Sequence, residues 1–202
     1  MAEVGMEIGE GDIGDMAKAF GFGTELSVPM DVSLSEYPRG LDDAQVALSA
    51  FGQGSDTATP IQIAMLSAAV ANGGKLMTPT LVDEIRAPDL SVLESFEAKE
   101  FSTPLTSITA STLSELMVEA VQSGAATNAR IDGVSVAGKT GTAENGEGDP
   151  YTLWFTGFAP ADNPRVAVAV VVENGGGLGQ SGSGNELAAP IAKRVLEAVL
   201  SK

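Results

Sequence analysis

Ala137-Gly138-Lys139-Thr140-Gly141-Thr142-Ala143-Glu144 can be read in two incompatible ways. Taken with Gly133-Val134-Ser135-Val136, it satisfies the phosphate-loop pattern GxxxxGK[ST] over residues 133–140. That chemistry needs a loop whose amides cradle phosphate, and a helix opening at the lysine. The flanking residues oppose it. Val134-Ser135-Val136 alternates like a strand, and the stretch from Gly141 to Pro150 is too rich in Gly, Asn and Asp to sustain a helix. The segment is therefore read as a strand over Val134 to Thr140 that carries Lys139.

Two more strand-like runs follow, Thr152 to Ala159 and Val166 to Glu173. The latter, Val166-Ala167-Val168-Ala169-Val170-Val171-Val172, is rich in β-branched residues and reads as a central strand. Short connections between the runs favour antiparallel pairing. A glycine-rich loop, Gly175 to Gly184, leads to a final helix, Leu187 to Leu200. Within it, Gly177-Leu178-Gly179-Gln180-Ser181-Gly182 matches GxGxxG. A dinucleotide fold needs a further parallel strand beyond the helix, and no strand-like run follows.

Upstream, Asp12 to Phe20 reads as a short helix opened by an Asp cap. Gly21, Gly23, Pro29, Pro38 and Gly40 punctuate an irregular stretch, and Leu41 to Phe51 is helical in composition. Thr59 then caps a helix with Pro60 at its first position, closed by Asn72-Gly73-Gly74. Its apolar residues run nearly all round, which predicts burial. Leu81 to Arg86 reads as a strand, 87–108 as an irregular connection, and Ser111 to Ser123 as an amphipathic helix. The fold class is α/β of the α+β type, an antiparallel sheet flanked by helices in one domain over residues 1–202.

Composition narrows the chemistry. The 27 acidic and 11 basic side chains give a net charge of −16, which repels phosphate backbones and argues against nucleic acid. Cysteine and histidine are both absent, so thiol nucleophiles, Ser-His-Asp triads and His-ligated metals are excluded. No cofactor and no metal is expected. No apolar run is long enough to span a membrane, and residues 1–7 lack the pattern of a signal peptide.

In this order the segments resemble the C-terminal part of a class B penicillin-binding transpeptidase domain. Ala137 to Glu144 resembles its Lys-Thr-Gly strand, and Trp154-Phe155-Thr156-Gly157-Phe158-Ala159-Pro160 the strand after it. Phe51-Gly52-Gln53-Gly54, Thr59-Pro60-Ile61-Gln62-Ile63-Ala64 and Ala71-Asn72-Gly73-Gly74 resemble an upstream segment typical of the class. The resemblance runs from about residue 12 to the end. It implies a β-lactamase/transpeptidase-like fold, incomplete at its N-terminal side. It also implies a parent enzyme that acylates a serine with D-alanyl-D-alanine stem peptides, cross-links peptidoglycan and is captured by β-lactams. Such a parent works on the extracytoplasmic face of the bacterial membrane, held there by an anchor that these residues do not contain.

The family's order is S-x-x-K, then S-x-N, then K-T-G. Serine needs a base within hydrogen-bond reach, and S-x-x-K supplies one a helical turn away. Three residues before Lys18, Lys75, Lys99, Lys139, Lys193 and Lys202 stand Asp15, Asn72, Phe96, Val136, Pro190 and Val199, so the motif is absent. Ser183-Gly184-Asn185 matches S-x-N but follows K-T-G, which marks a chance match. Met1 is expected to lie just past the family's S-x-N, and the chain alone to be inactive. By resemblance, Lys139 supplies positive charge to the substrate carboxylate and the serine site. Thr140 and Thr142 offer it hydroxyls, Gly141 admits the substrate backbone, and the Thr142 N–H forms half of the oxyanion hole. Read alone, Lys139 is an edge-strand lysine that blunts aggregation, and the wider resemblance reverses that reading. Trp154 and Phe158 read as core, with cleft lining as the alternative, Gln53, Asp56 and Asn72 as turn and cap residues, and Glu144 as surface. The alternatives are a non-catalytic relative that binds cell-wall peptides or a protein partner, and a nucleotide-binding protein using residues 133–140.

Overall fold

The computed structural model describes residues 1–26, 28 and 30–202; Pro29, read above as a loop marker, lies outside them. The elements in chain order are α1 (Ala2–Ala19), α2 (Asp43–Ser49), α3 (Pro60–Ala71), β1 (Leu76–Met77), β2 (Glu84–Arg86), β3 (Val92–Ser95) and β4 (Glu100–Ser102). Then come α4 (Ser107–Gln122), β5 (Ala137–Ala143), β6 (Thr152–Ala159), β7 (Val166–Val172) and α5 (Ala189–Leu200).

The main sheet has the order β5-β6-β7, antiparallel throughout, with Lys139 opposite Thr156, Gly141 opposite Trp154 and Phe155 opposite Val170. The period of two sorts the side chains by face. Leu153, Phe155 and Ala159 of β6 and Val168 of β7 are buried, and most of them pack with Ala189, Ala192 and Leu196 of α5. Phe155 is fully buried, and hiding a side chain of that size contributes about 3 kcal/mol. The opposite face carries Thr156, whose hydroxyl reaches Ser67 Oγ at 2.6 Å and the Ile63 carbonyl at 3.2 Å, so α3 lies across it. A second core joins Phe20, Met65, Ala69, Leu76, Leu105 and Ala110 beside α3.

Local chemistry explains most boundaries. Asp42 opens α2 with a reciprocal capping box: its side chain accepts from Gln45 N and its N–H donates to Gln45 Oε1, both at 2.9 Å. Thr59 caps α3 through Gln62 N, Pro60 sits in the first turn, and Asn72 ends the helix. Buried Gln62 donates to the Phe20 carbonyl at 2.6 Å, tying α3 to the end of α1.

Several boundaries differ from the sequence reading. The first helix spans Ala2–Ala19 and is broken at Gly9, with φ 84° and ψ 158°, a conformation open to glycine alone. Its first part is glycine-rich and acidic, a poor helix former, and is held by packing of Gly5 against Ala50. The Leu81 to Arg86 strand shrinks to Glu84–Arg86. The stretch 87–108 is not irregular. β3 folds back on β2, and β4 pairs with β1 through Leu76 and Ser102. Glu94, Glu97, Lys99 and Glu100 hid this alternation. The fourth helix starts at Ser107 under a Thr106 cap, earlier than Ser111, because the cap offsets the low propensity of Ile108 and Thr109. The strand expected over Val134 to Thr140 is Ala137–Ala143. Val134 is spent on a tight bridge to Ile131, while β6 supplies partners as far as Thr152 and draws Gly141 to Ala143 into the ladder.

Candidate active site

β5 is an outer strand of its sheet, and the Lys-Thr-Gly-Thr stretch lies wholly within it. One β5 edge is paired to β6, and the other borders a cleft of about 390 Å³. Lys139, Thr140, Gly141, Thr142 and Trp154 form one wall of the cleft, and Tyr37, Phe51, Asp56 and Ile63 lie among the residues that complete it. The volume falls within the range of small-molecule sites, about 300–1,000 Å³.

Backbone direction on β5 follows from two hydrogen bonds. The Thr142 carbonyl accepts from Gln53 Nε2 at 3.3 Å, and the Thr140 carbonyl from Lys139 Nζ at 2.5 Å. In an extended strand the N–H and C=O of one residue point to the same side. The Thr142 N–H therefore faces away from β6 and toward the cleft. Lys139 is exposed, and the side chain of Thr142 is exposed too. The Thr140 hydroxyl donates to the Ala125 carbonyl at 3.2 Å, a bond it must exchange before it can donate to a ligand. Gly141 packs its backbone against Trp154, where a Cβ would come within 3.2 Å of the Trp154 Cβ.

On the α3 face, Lys139 and Thr156 also border a second, apolar groove of about 470 Å³. Phe20, Leu66, Val70, Leu105, Leu113 and Met117 are among its lining residues. Lys139 thus stands between a mixed cleft and an apolar trough.

The sequence reading missed two members of the site. Gln53 was read as a turn residue, yet it bridges to the motif strand. Asp56 was read likewise, yet it lines the cleft, and its Oδ1 is buried without a hydrogen-bond partner. Nothing local marks either one, because Gln53 bonds to β5, and Asp56 shares a cleft with it, across more than 80 residues of chain. Asn72 is the helix cap that the sequence predicted, and Glu144 is exposed. The two aromatic residues divide: Phe158 is fully buried in the core, whereas Trp154 is half-buried on the cleft wall.

Burial pushes the Asp56 carboxyl up from 3.8 to about 6. A folded-state pKa above the unfolded value means that the fold favours the neutral acid. The associated stability is complete below about pH 4 and is lost as pH rises through 6. A two-unit shift corresponds to about 3 kcal/mol, and solvent reaching the half-buried side chain reduces this to about 1 kcal/mol. Asp56→Asn is therefore expected to match the parent at pH 4 and exceed its stability by about 1 kcal/mol at pH 8. Urea unfolding at both pH values measures this. Parallel behaviour of the two proteins would remove the burial argument.

Two chance motifs resolve structurally. β5 runs on through Lys139 and Thr140, and no helix opens there, so the phosphate-loop reading fails. In Ser183-Gly184-Asn185, Ser183 caps a helical turn through Glu186 N at 3.2 Å, and Asn185 accepts from Asn128 N at 2.9 Å. Both side chains are structural.

Lys-Thr-Gly, here on an outer strand beside a cleft, is one of the three signatures of penicillin-binding proteins and their β-lactamase relatives. The chain belongs to the penicillin-binding protein transpeptidase family: residues 1–197 match the family description "Penicillin binding protein transpeptidase domain". It is 38% identical over 202 residues to the peptidoglycan D,D-transpeptidase PbpA of Mycolicibacterium smegmatis, covering 98% of this chain and 41% of that protein. Its structure is similar to the ceftriaxone acyl-enzyme complex of penicillin-binding protein A from M. tuberculosis. The TM-score there is 0.93 at 37% identity, covering 98% of this chain and 45% of that one. A D,D-transpeptidase domain from Eggerthella lenta matches with TM-score 0.87 at 30% identity, covering 99% of this chain and 50% of that one. The chain thus spans about two-fifths of the length of the curated relatives it matches. Among the described residues, no helix is long and apolar enough to cross a membrane.

Proposed function

We propose that residues 1–202, as one domain portion, form the Lys-Thr-Gly wall of a serine D,D-transpeptidase that cross-links peptidoglycan on the outer side of the bacterial membrane. The observation that carries this reading is the position of Lys139 to Thr142, on an outer strand with the Thr142 N–H turned into the cleft. In this reading the stem peptide extends along β5. Lys139 attracts its terminal carboxylate, and the threonine hydroxyls hydrogen-bond to it. The Thr142 N–H stabilises the oxyanion that forms when serine attacks the penultimate D-alanyl carbonyl. Acylation releases the terminal D-alanine, and an amine from a second stem peptide then displaces the serine. β-Lactams enter as mimics of the first peptide, as acyl-enzyme complexes of the M. tuberculosis relative illustrate.

The nucleophile comes from outside these residues, since no serine here precedes a lysine by three. The apolar groove beside Lys139 suits a helix that carries it. A serine on the helix face turned toward Lys139 would meet both the lysine and the Thr142 N–H. The chain alone is thus expected not to be acylated. Intact-mass spectrometry after incubation with benzylpenicillin is expected to return the unmodified mass. An adduct on any serine of the 202-residue chain would overturn this assignment.

A further inference from the structure

We infer that Asp56 is a specificity-determining carboxylate of this cleft, docking a protonated primary amine of a stem peptide while Lys139 and its threonines take the terminal carboxylate. The inference rests on the transpeptidase reading and adds to it the charge pattern of the substrate. Among the described residues that line the cleft, Lys139 is the one cation and Asp56 the one carboxylate; Tyr37 is the other titratable group. The two charges do not satisfy each other. The ion pairs within 4.0 Å among the described residues are Arg39–Asp15, Lys75–Glu100, Arg86–Glu84 and Lys193–Glu197, and neither Lys139 nor Asp56 is in one. The complement of such a cleft is a ligand with a carboxylate at one end and an ammonium group further along.

Asp56 is held in place, so its exposure to the cleft is not that of a loose loop. On one side, Gln53 donates to the Thr142 carbonyl at 3.3 Å. On the other, Thr57 and Glu36 exchange backbone hydrogen bonds, at 3.0 Å from Thr57 N and 2.9 Å from Glu36 N. The segment carrying Asp56 is therefore pinned to the motif strand and to the facing loop. Among the described residues its carboxylate is in no ion pair. The next helix is capped by Thr59, not by Asp56. A carboxylate on a cleft wall with no cationic neighbour in an ion pair is matched by an ammonium, which brings N–H donors and a compensating charge. A neutral amide at the same position would not distinguish an amine from its acetylated form.

The amine has two possible sources, the stem peptide being cleaved or the incoming peptide that resolves the acyl-enzyme. Calorimetry on the 202-residue chain separates them with three probes: Nα-acetyl-Lys-D-Ala-D-Ala, its Nα,Nε-diacetyl form, and Nα-acetyl-lysine methylamide. For an amine on the cleaved peptide, the chain binds the free-amine tripeptide about fivefold tighter than the diacetyl form. Asp56→Asn equalises the two without weakening the diacetyl peptide more than about twofold. For an amine on the incoming peptide, the methylamide binds to chain saturated with diacetyl tripeptide, and Asp56→Asn abolishes that binding. Either pattern supports the inference. Equal affinity for both tripeptides with no methylamide binding, or a preference that survives Asp56→Asn, overturns it and leaves the transpeptidase reading standing. Failure of both tripeptides to bind overturns the two together.

Discussion

Replacing Lys139 by alanine is expected to slow covalent capture of benzylpenicillin by about a hundredfold, in a polypeptide that carries both this chain and an S-x-x-K serine. The size of the effect follows from the lack of a substitute. Lys139 is the one cation among the described residues that line the cleft. It also borders the apolar groove proposed for the nucleophile helix, so in the proposed reading a single ammonium serves both the ligand carboxylate and the serine environment. The fold should not change. The side chain is exposed, and its hydrogen bond among the described residues goes to the adjacent Thr140 carbonyl. Removing it costs at most about 0.5 kcal/mol of stability. Acylation rate by intact mass, read beside the melting temperature, separates lost chemistry from lost structure. Lys139→Arg should recover only part of the rate, because a planar fork does not reproduce a compact ammonium. A change of less than about threefold in Lys139→Ala would remove the lysine from the site.

The motif strand was legible in the sequence, whereas the opposite wall of the cleft was not. Lys139 to Thr142 stand together in the chain, and the alternation of Thr152 to Ala159 and of the valine-rich run beyond it announces their sheet partners. Thr59-Pro60 and Asn72-Gly73-Gly74 mark α3 because capping is local chemistry, settled within four or five residues. Gln53 and Asp56 lack any such signal. Each is a plausible turn residue, and each enters the site only when α3 is laid across the sheet through Ser67 and Thr156. The β1–β4 and β2–β3 ladders were hidden for a related reason. They are two to four residues long, too short for an alternation to show; β2–β3 is also largely solvent-facing, whereas Leu76 of β1 is buried in the second core. The placement of β5 erred by three residues because glycine at 141 lowers strand propensity. Pairing with β6 overrides that propensity, as cross-strand contacts commonly do.

Gly184→Ala is expected to lower stability by roughly 3 kcal/mol, a fall of about 10 °C in melting temperature for a domain of this size. The position looks harmless in sequence, inside a glycine-rich loop and a spurious S-x-N match. In the fold it is where the loop returns against the motif strand. A Cβ there would lie 2.4 Å from the Trp154 carbonyl oxygen and 2.7 Å from that of Gly141. Both are backbone atoms of a register pair in the β5–β6 ladder, so neither can move aside like the end of a side chain. Either the sheet shifts or the turn over Gly184–Ala188 lifts. Lifting the turn pulls Asn185 from Asn128, at 2.9 Å and 3.0 Å, and loosens the start of α5, where Ala188 and Ala189 are fully buried. Shifting the sheet moves Gly141 and, one residue on, the Thr142 N–H that faces the cleft. Tripeptide affinity should therefore fall in Gly184→Ala even at temperatures where the protein is still folded. Gly11→Ala is the matched control. A Cβ there meets nothing within 4 Å, and alanine within α1 should stabilise by about 0.5–1 kcal/mol. If Gly184→Ala melts within about 2 °C of the parent, the loop is not the rigid backing of the motif strand, and the site must be positioned from the α3 side alone.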